Sequence, residues 1–168
     1  MPGSQNIGIL LLYLGYFFLM VPFTVALAAA SFALSQPQLE VKQTSKENTI
    51  EMPADILFDF DKADIRPGAG VTLEQAAKIL RDHAVTEVRI EGFTDAKGTT
   101  EHNLKLSMQR ADAVRGWLVD RKGLSNVRFT LEGLGAAQPV EPNLNPDGSD
   151  NPSGRTKNRR AVVVFAAP

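Results

Sequence analysis

No Asp, Glu, Lys or Arg precedes Glu40 in this 168-residue chain. A stretch of that length without a charge cannot be solvated like an ordinary protein surface. The chain therefore divides into an uncharged apolar head and a charge-rich body, and the two need separate readings. Residues Ile7 to Leu34 are almost all Leu, Ile, Val, Phe, Tyr, Ala and Gly. As a helix this run would span about 42 Å, more than the ~30 Å hydrocarbon core of a bilayer. Pro22 would kink or break it, and Tyr13 and Tyr16 would suit one interface. Residues 1–34 are expected to be either an uncleaved transmembrane anchor or a signal peptide. The small residues Ala26-Leu27-Ala28 and Ala28-Ala29-Ala30 offer cleavage sites. Lys42 and Lys46 follow the run, so the positive-inside rule would put the body in the cytoplasm. The content of the body, below, points the other way.

Residues 35–49 are polar and weakly periodic and read as a linker, which leaves 50–168 as the domain. Asp55 to Phe60 alternates around apolar positions and predicts a strand. From Val71, the apolar positions Leu73, Ala76, Ala77, Leu80 and Ala84 recur at helical spacing. Val88 to Gly92 reads as a second strand. A long helix follows from Thr99 or Thr100, with Leu104, Ser107, Ala111, Val114 and Leu118 on its inner stripe, and Gly123 stops it. Val127 to Leu131 reads as a third strand. Ala161 to Phe165, which lacks alternation, reads as a fourth that is buried on both faces. The expected fold is α/β: a two-layer sandwich, a β-α-β-α-β-β mixed sheet with helices on one face, preceded by the apolar N-terminal helix. The Pro- and Gly-rich connection from Gly135 to Asn158 is long enough to suggest a functional role.

Composition removes several function classes. Eighteen Lys and Arg against nineteen Asp and Glu give a net charge of −1, without the basic excess of a nucleic-acid module. The absence of cysteine excludes a disulfide scaffold, a thiolate metal site, a cysteine nucleophile and a lipid-bearing cysteine. His83 and His102 alone leave little for a histidine metal centre, and no cofactor is expected. The acidic cluster Asp55, Asp59, Asp61 and Asp64 and the stretch Asn143 to Gly148 are weak calcium candidates. Position twelve of the latter is Gly154, where a bidentate Glu would be needed.

The informative pair is Asp95, just past the end of the second strand, and Arg110 on the following helix. In α/β sheets ligands bind beyond the carboxyl ends of strands. A carboxylate and a guanidinium facing one site would receive a zwitterion, the acid taking an ammonium and the fork a carboxylate.

Five ordered motifs accompany this pair. They are Phe58-Asp59-Phe60-Asp61-Lys62 with Ile65-Arg66, and Glu91-Gly92-Phe93-Thr94-Asp95-Ala96-Lys97-Gly98. Then come Asn103 with Leu106-Ser107 and Arg110-Ala111, Gly133-Leu134-Gly135, and Lys157-Asn158-Arg159-Arg160-Ala161-Val162. Through them the chain resembles, over about Met52 to Phe165, the OmpA-like domain. This is the peptidoglycan-binding module of outer-membrane protein A and of the peptidoglycan-associated lipoprotein. The resemblance implies non-covalent binding of peptidoglycan through the diaminopimelate of its stem peptide. Asp95 would take the ammonium and Arg110 the carboxylate. Thr94, Asn103 and Leu106 would line the pocket, Phe60 and Asp61 would close it, and Arg159 would support or contact the ligand. Phe93 stands where the family usually has His, which predicts altered pocket polarity, and Leu134 replaces a frequent aromatic.

The expectation is a binding module, not an enzyme. It would face the periplasm in the envelope of a Gram-negative-type bacterium, anchored to a membrane through the head or secreted, with envelope proteins as further partners. Two alternatives differ in class. One is a metal-dependent hydrolase of wall components using Asp59, Asp61 and Asp95. The other is a structural subunit of an envelope or secretion complex with a degenerate wall site. A head without Asp disfavours a proton-conducting motor subunit.

Overall fold

The computed structural model describes residues 38–167. The anchor or signal peptide expected over 1–34 lies outside these residues. Among the described residues no helix is long and apolar enough to cross a membrane.

The chain runs β1 (Val41–Gln43), β2 (Glu47–Pro53), a one-turn helix α1 (Ala54–Leu57), a 3-10 turn (Pro67–Ala69) and α2 (Gly70–Asp82). It continues through β3 (Glu87–Phe93), α3 (Thr100–Lys122), β4 (Arg128–Gly135), α4 (Pro152–Asn158) and β5 (Arg160–Ala166). The sheet order is β1-β2-β5-β3-β4. Only β3 and β4 run parallel, and the other neighbours are antiparallel. The mixed sheet is thus as expected. The last strand lies at its centre, and Arg160 to Phe165 is buried throughout.

One face carries the core. Ile50 and Met52 of β2, Val88 and Ile90 of β3, and Ala161, Val163 and Phe165 of β5 meet Leu73, Ala76, Ala77 and Leu80 of α2. From α3 come Ala111, Val114 and Leu118. The α3 boundaries follow from its caps. Thr99 Oγ1 accepts the His102 N–H, and Gly123 adopts a left-handed φ of 66° just past the end. The helix lies very close to the sheet at Gly92, where a Cβ would come within 2.1 Å of the Ser107 carbonyl oxygen.

Three sequence expectations are corrected. Strand β1 and the first three residues of β2 fall within the stretch read as linker. Asp55 to Phe60 is not a strand. Pro53 ends β2, and the chain then turns through α1. Leu57 and Phe58 are both buried, while Ile56 and Phe60 are exposed, a pattern that period-two alternation cannot produce. The long connection after Gly135 contains α4, whose N-cap Asn151 accepts from Gly154 N at 3.0 Å.

Candidate functional site

The carboxyl end of β3 opens onto a pocket of about 600 Å³. Several elements build its wall. β3 delivers Thr94 and Asp95, and the Thr94 N–H is anchored to Gly135 O at 2.8 Å. The first turns of α3 deliver Asn103, Leu106 and Arg110, which share one helical face by their three- and four-residue spacing. α1 supplies Asp55, and the loop after it supplies Phe60 and Asp61. The C-cap of α4, just before β5, supplies Arg159. All eight residues proposed from the sequence line this one pocket.

Asn103 fixes the acidic loop. Its amide donates to Asp95 O at 3.3 Å and to Lys97 O at 2.9 Å. The Asp95 carboxylate is itself held. Oδ1 accepts the Lys97 N–H at 2.9 Å, and Oδ2 accepts from Arg159 Nη1 at 2.8 Å, with Arg155 Nε 3.7 Å away. Arg159 also forks onto Asp55, at 3.0 Å from Nε and 2.7 Å from Nη2. Those bonds hold the Asp55 carboxyl below its ordinary value and push Arg159 up. Arg159 is therefore a support that ties α1 to the acidic loop.

Arg110 differs. It is buried, its Nε donates to Lys62 O at 2.9 Å, and its guanidinium lies over the Phe58 ring with 5.1 Å to the centroid. No ion pair or hydrogen bond among the described residues engages its two terminal nitrogens. Burial pushes its pKa below the ordinary value; Asp55, Asp61 and Asp95 oppose this, and Arg159 adds to it. It remains a cation at neutral pH. Asp95 and Arg110 thus share the pocket without pairing with each other.

The mouth is set by the loop after α1. Phe60 is 93% exposed. Asp61 next to it holds a left-handed φ of 57° and meets His102 Nε2 at 2.7 Å. Sequence reasoning placed His102 on the surface, and it is half-exposed, but it also lines the pocket. Arg155 and Asp55 were missed as well. Arg155 is buried and bridges Asp95 and Asp150.

Phe93 is a correction. It does not line the pocket. It packs with Val162 and Val164 on the far face of the sheet, Leu134 joins them, and the Arg160 guanidinium lies 3.7 Å from its ring centroid. The His-to-Phe departure therefore leaves pocket polarity untouched.

A mixed sheet with helices on one face and a charge-lined pocket beyond a strand end defines a small α/β binding module. The OmpA family model matches residues 57–152, and the chain belongs to that family. The peptidoglycan-associated lipoprotein of Mesorhizobium japonicum is 31% identical over 82% of this chain and 78% of its own. Photosystem I P700 chlorophyll a apoprotein A2 of Gloeobacter violaceus is 35% identical over 85% of this chain, but that stretch is only 16% of the relative. The chain spans less than two thirds of the length of the first curated relatives it matches. Among solved structures, the cell wall anchor of the T6SS from Pseudomonas aeruginosa superposes with a TM-score of 0.64. It is 28% identical, over 84% of this chain and 94% of that one.

Proposed function

We propose that this domain binds peptidoglycan non-covalently, through the diaminopimelate of the stem peptide, and so tethers the cell envelope to the wall. The observation that carries the reading is Arg110, a buried residue lining the pocket whose two outer nitrogens have no hydrogen-bond or ion-pair partner among the described residues. Such a fork is a preformed carboxylate receptor, because its desolvation has already been met by the fold. Asp95 takes the ammonium through the lone pairs left over from Arg159 and the Lys97 amide. Thr94, Asn103 and Leu106 form the walls, with Phe60 and Asp61 at the mouth. The wall-associated names of the relatives support the class of ligand. They also favour a place in a Gram-negative-type envelope; the reading takes the body as periplasmic and the head as anchor or leader.

The domain acts by binding, not by turnover. Asp59 pairs with Arg66 at 3.4 Å, Asp61 with His102 and Asp95 with Arg159. Among the described residues no three carboxylates or histidines converge on a point that could hold a metal. Each of these acids is engaged by a basic side chain of the fold, which supports the binding reading.

Co-sedimentation of the full chain with purified sacculi is the test. The parent should sediment and be released by stem peptide carrying diaminopimelate. Asp95→Ala and Arg110→Ala should stay in the supernatant. Equal sedimentation of all three overturns the proposal.

A further inference from the structure

The loop after α1 is closed at its base by a backbone bridge between Phe58 and Ile65. Its tip is held against α3 at two points. Lys62 O accepts the Arg110 Nε–H at 2.9 Å, and Asp61 Oδ1 meets His102 Nε2 at 2.7 Å. Adjacent loop residues make these contacts, so the seating of one governs the seating of the other. Asp61 keeps its left-handed φ of 57° there, a conformation that persists only where the surroundings hold it. Among the described residues His102 supplies the only hydrogen bond or ion pair that the Asp61 side chain makes. The other side of the His102 ring lies beside the acidic loop, where a Cβ on Gly98 would come 3.9 Å from Cδ2.

We propose that His102 is a positioning residue for the pocket. Through Asp61 it seats the Lys62 carbonyl on Arg110, and so fixes the guanidinium that receives the ligand's carboxylate. The firmness of that seating follows the charge of the imidazole. The inference rests on the binding mode proposed above, and it adds a residue and a pH response to it.

The charges around the ring leave Asp61 to it. Arg66, at the end of the loop, pairs with Asp59, and Lys97 of the acidic loop pairs with Asp150. Arg155 and Arg159 of α4 pair with Asp95, and Arg159 also takes Asp55 of α1. Arg110, farther along α3, is turned onto Lys62 O. Carboxylates, ammonium groups and guanidiniums ordinarily change charge outside the range from about pH 5 to about pH 7.5, and imidazole within it. Two ions hold each other more firmly than an ion holds a neutral ring. The loop is therefore held best with the imidazole protonated, and its grip on Arg110 slackens as pH rises.

The probe is N-acetyl-alanyl-γ-glutamyl-diaminopimelate, which carries no group that titrates in this range, bound to the full chain in detergent micelles. The chain has two histidines and no cysteine, so few groups can respond. The parent should bind about two- to fivefold more tightly at about pH 5 than at about pH 7.5, the scale of a half-exposed ion pair. His102→Gln keeps a donor without a charge, and Asp61→Asn tolerates the left-handed φ. Both should lose the slope. His83→Gln should keep it, because His83 caps α2 and packs on Phe165. A flat parent overturns the proposal, as does a slope lost in His83→Gln or retained in His102→Gln. A slope retained in Asp61→Asn overturns it too, since the imidazole would then act on the ligand directly. Should the parent bind at neither pH, the pocket reading falls and the Arg110 Nε–H resonance of the free chain decides the role of His102. A resonance that shifts with the imidazole titration in the parent and stays fixed in His102→Gln supports the proposal. One that ignores pH in the parent, or moves alike in both, overturns it.

Discussion

Arg110 is valuable because of what does not touch it. Its Nε is tied to Lys62 O and its plane rests on Phe58, so the guanidinium has one orientation and little entropy left to lose on binding. Lysine at this position keeps the charge but not the planar fork. Arg110→Lys should weaken binding of a diaminopimelate-bearing stem peptide by about 1.5–3 kcal/mol, the worth of a charge-assisted hydrogen bond. Arg110→Ala should cost roughly 2–5 kcal/mol. Calorimetric titration measures both. Asp55 makes a different prediction. Its lowered pKa means that the native state holds the carboxylate more tightly than the unfolded chain does. The stabilisation is present above the ordinary value of 3.8 and is lost as pH falls through the lowered native value. Thermal melts between about pH 5 and about pH 2 should show the parent falling more steeply than Asp55→Asn. The roles of Asp95 and Arg110 could be proposed from sequence because strand end and helix face follow from local pattern. The bond of Arg159 to Asp55 could not, because 104 residues separate the partners.

Between α3 and the sheet, small residues set the spacing. A methyl at Gly92 would meet the Ser107 backbone, which cannot yield without moving the helix. Gly92→Ala should therefore destabilise the fold by about 1–3 kcal/mol, read as a lower denaturant midpoint, and should displace Asn103 and Arg110 together. α4 acts more gently. The Asn158 side chain accepts from Val140 N and Glu141 N and donates to Glu141 O and Asn143 Oδ1, and Asn143 Oδ1 in turn accepts the Ala96 N–H. Asn158→Ala should leave the chain folded, with a stability loss of about 1–3 kcal/mol, yet weaken stem-peptide binding through the acidic loop. The helices and inner strands were legible because their apolar faces repeat. Leu104, expected on the inner stripe, is instead exposed, since at this end of α3 the inward positions are the polar Asn103 and Arg110 that face the pocket. Asp55 to Phe60 misled for a related reason. Its alternation serves a turn that buries two consecutive residues and lines a site, and periodicity cannot tell that from a strand. The short β1 and the polar outer positions of β2 gave no apolar run to detect.

For the molecule as a whole, binding and not turnover is the expected behaviour. Incubating purified wall with the full chain should release no soluble fragments, with or without divalent ions, and chelation should leave sacculus binding unchanged. The position of β5 carries a separate consequence. β2 and β3 share no ladder except through Arg160–Ala166, so the halves of the sheet have no common neighbour until the ribosome has made nearly all of the domain. The sheet can therefore be completed only once the middle strand has been made, and a chain cut before Arg160 should leave the β1-β2 and β3-β4 pairs with no ladder between them.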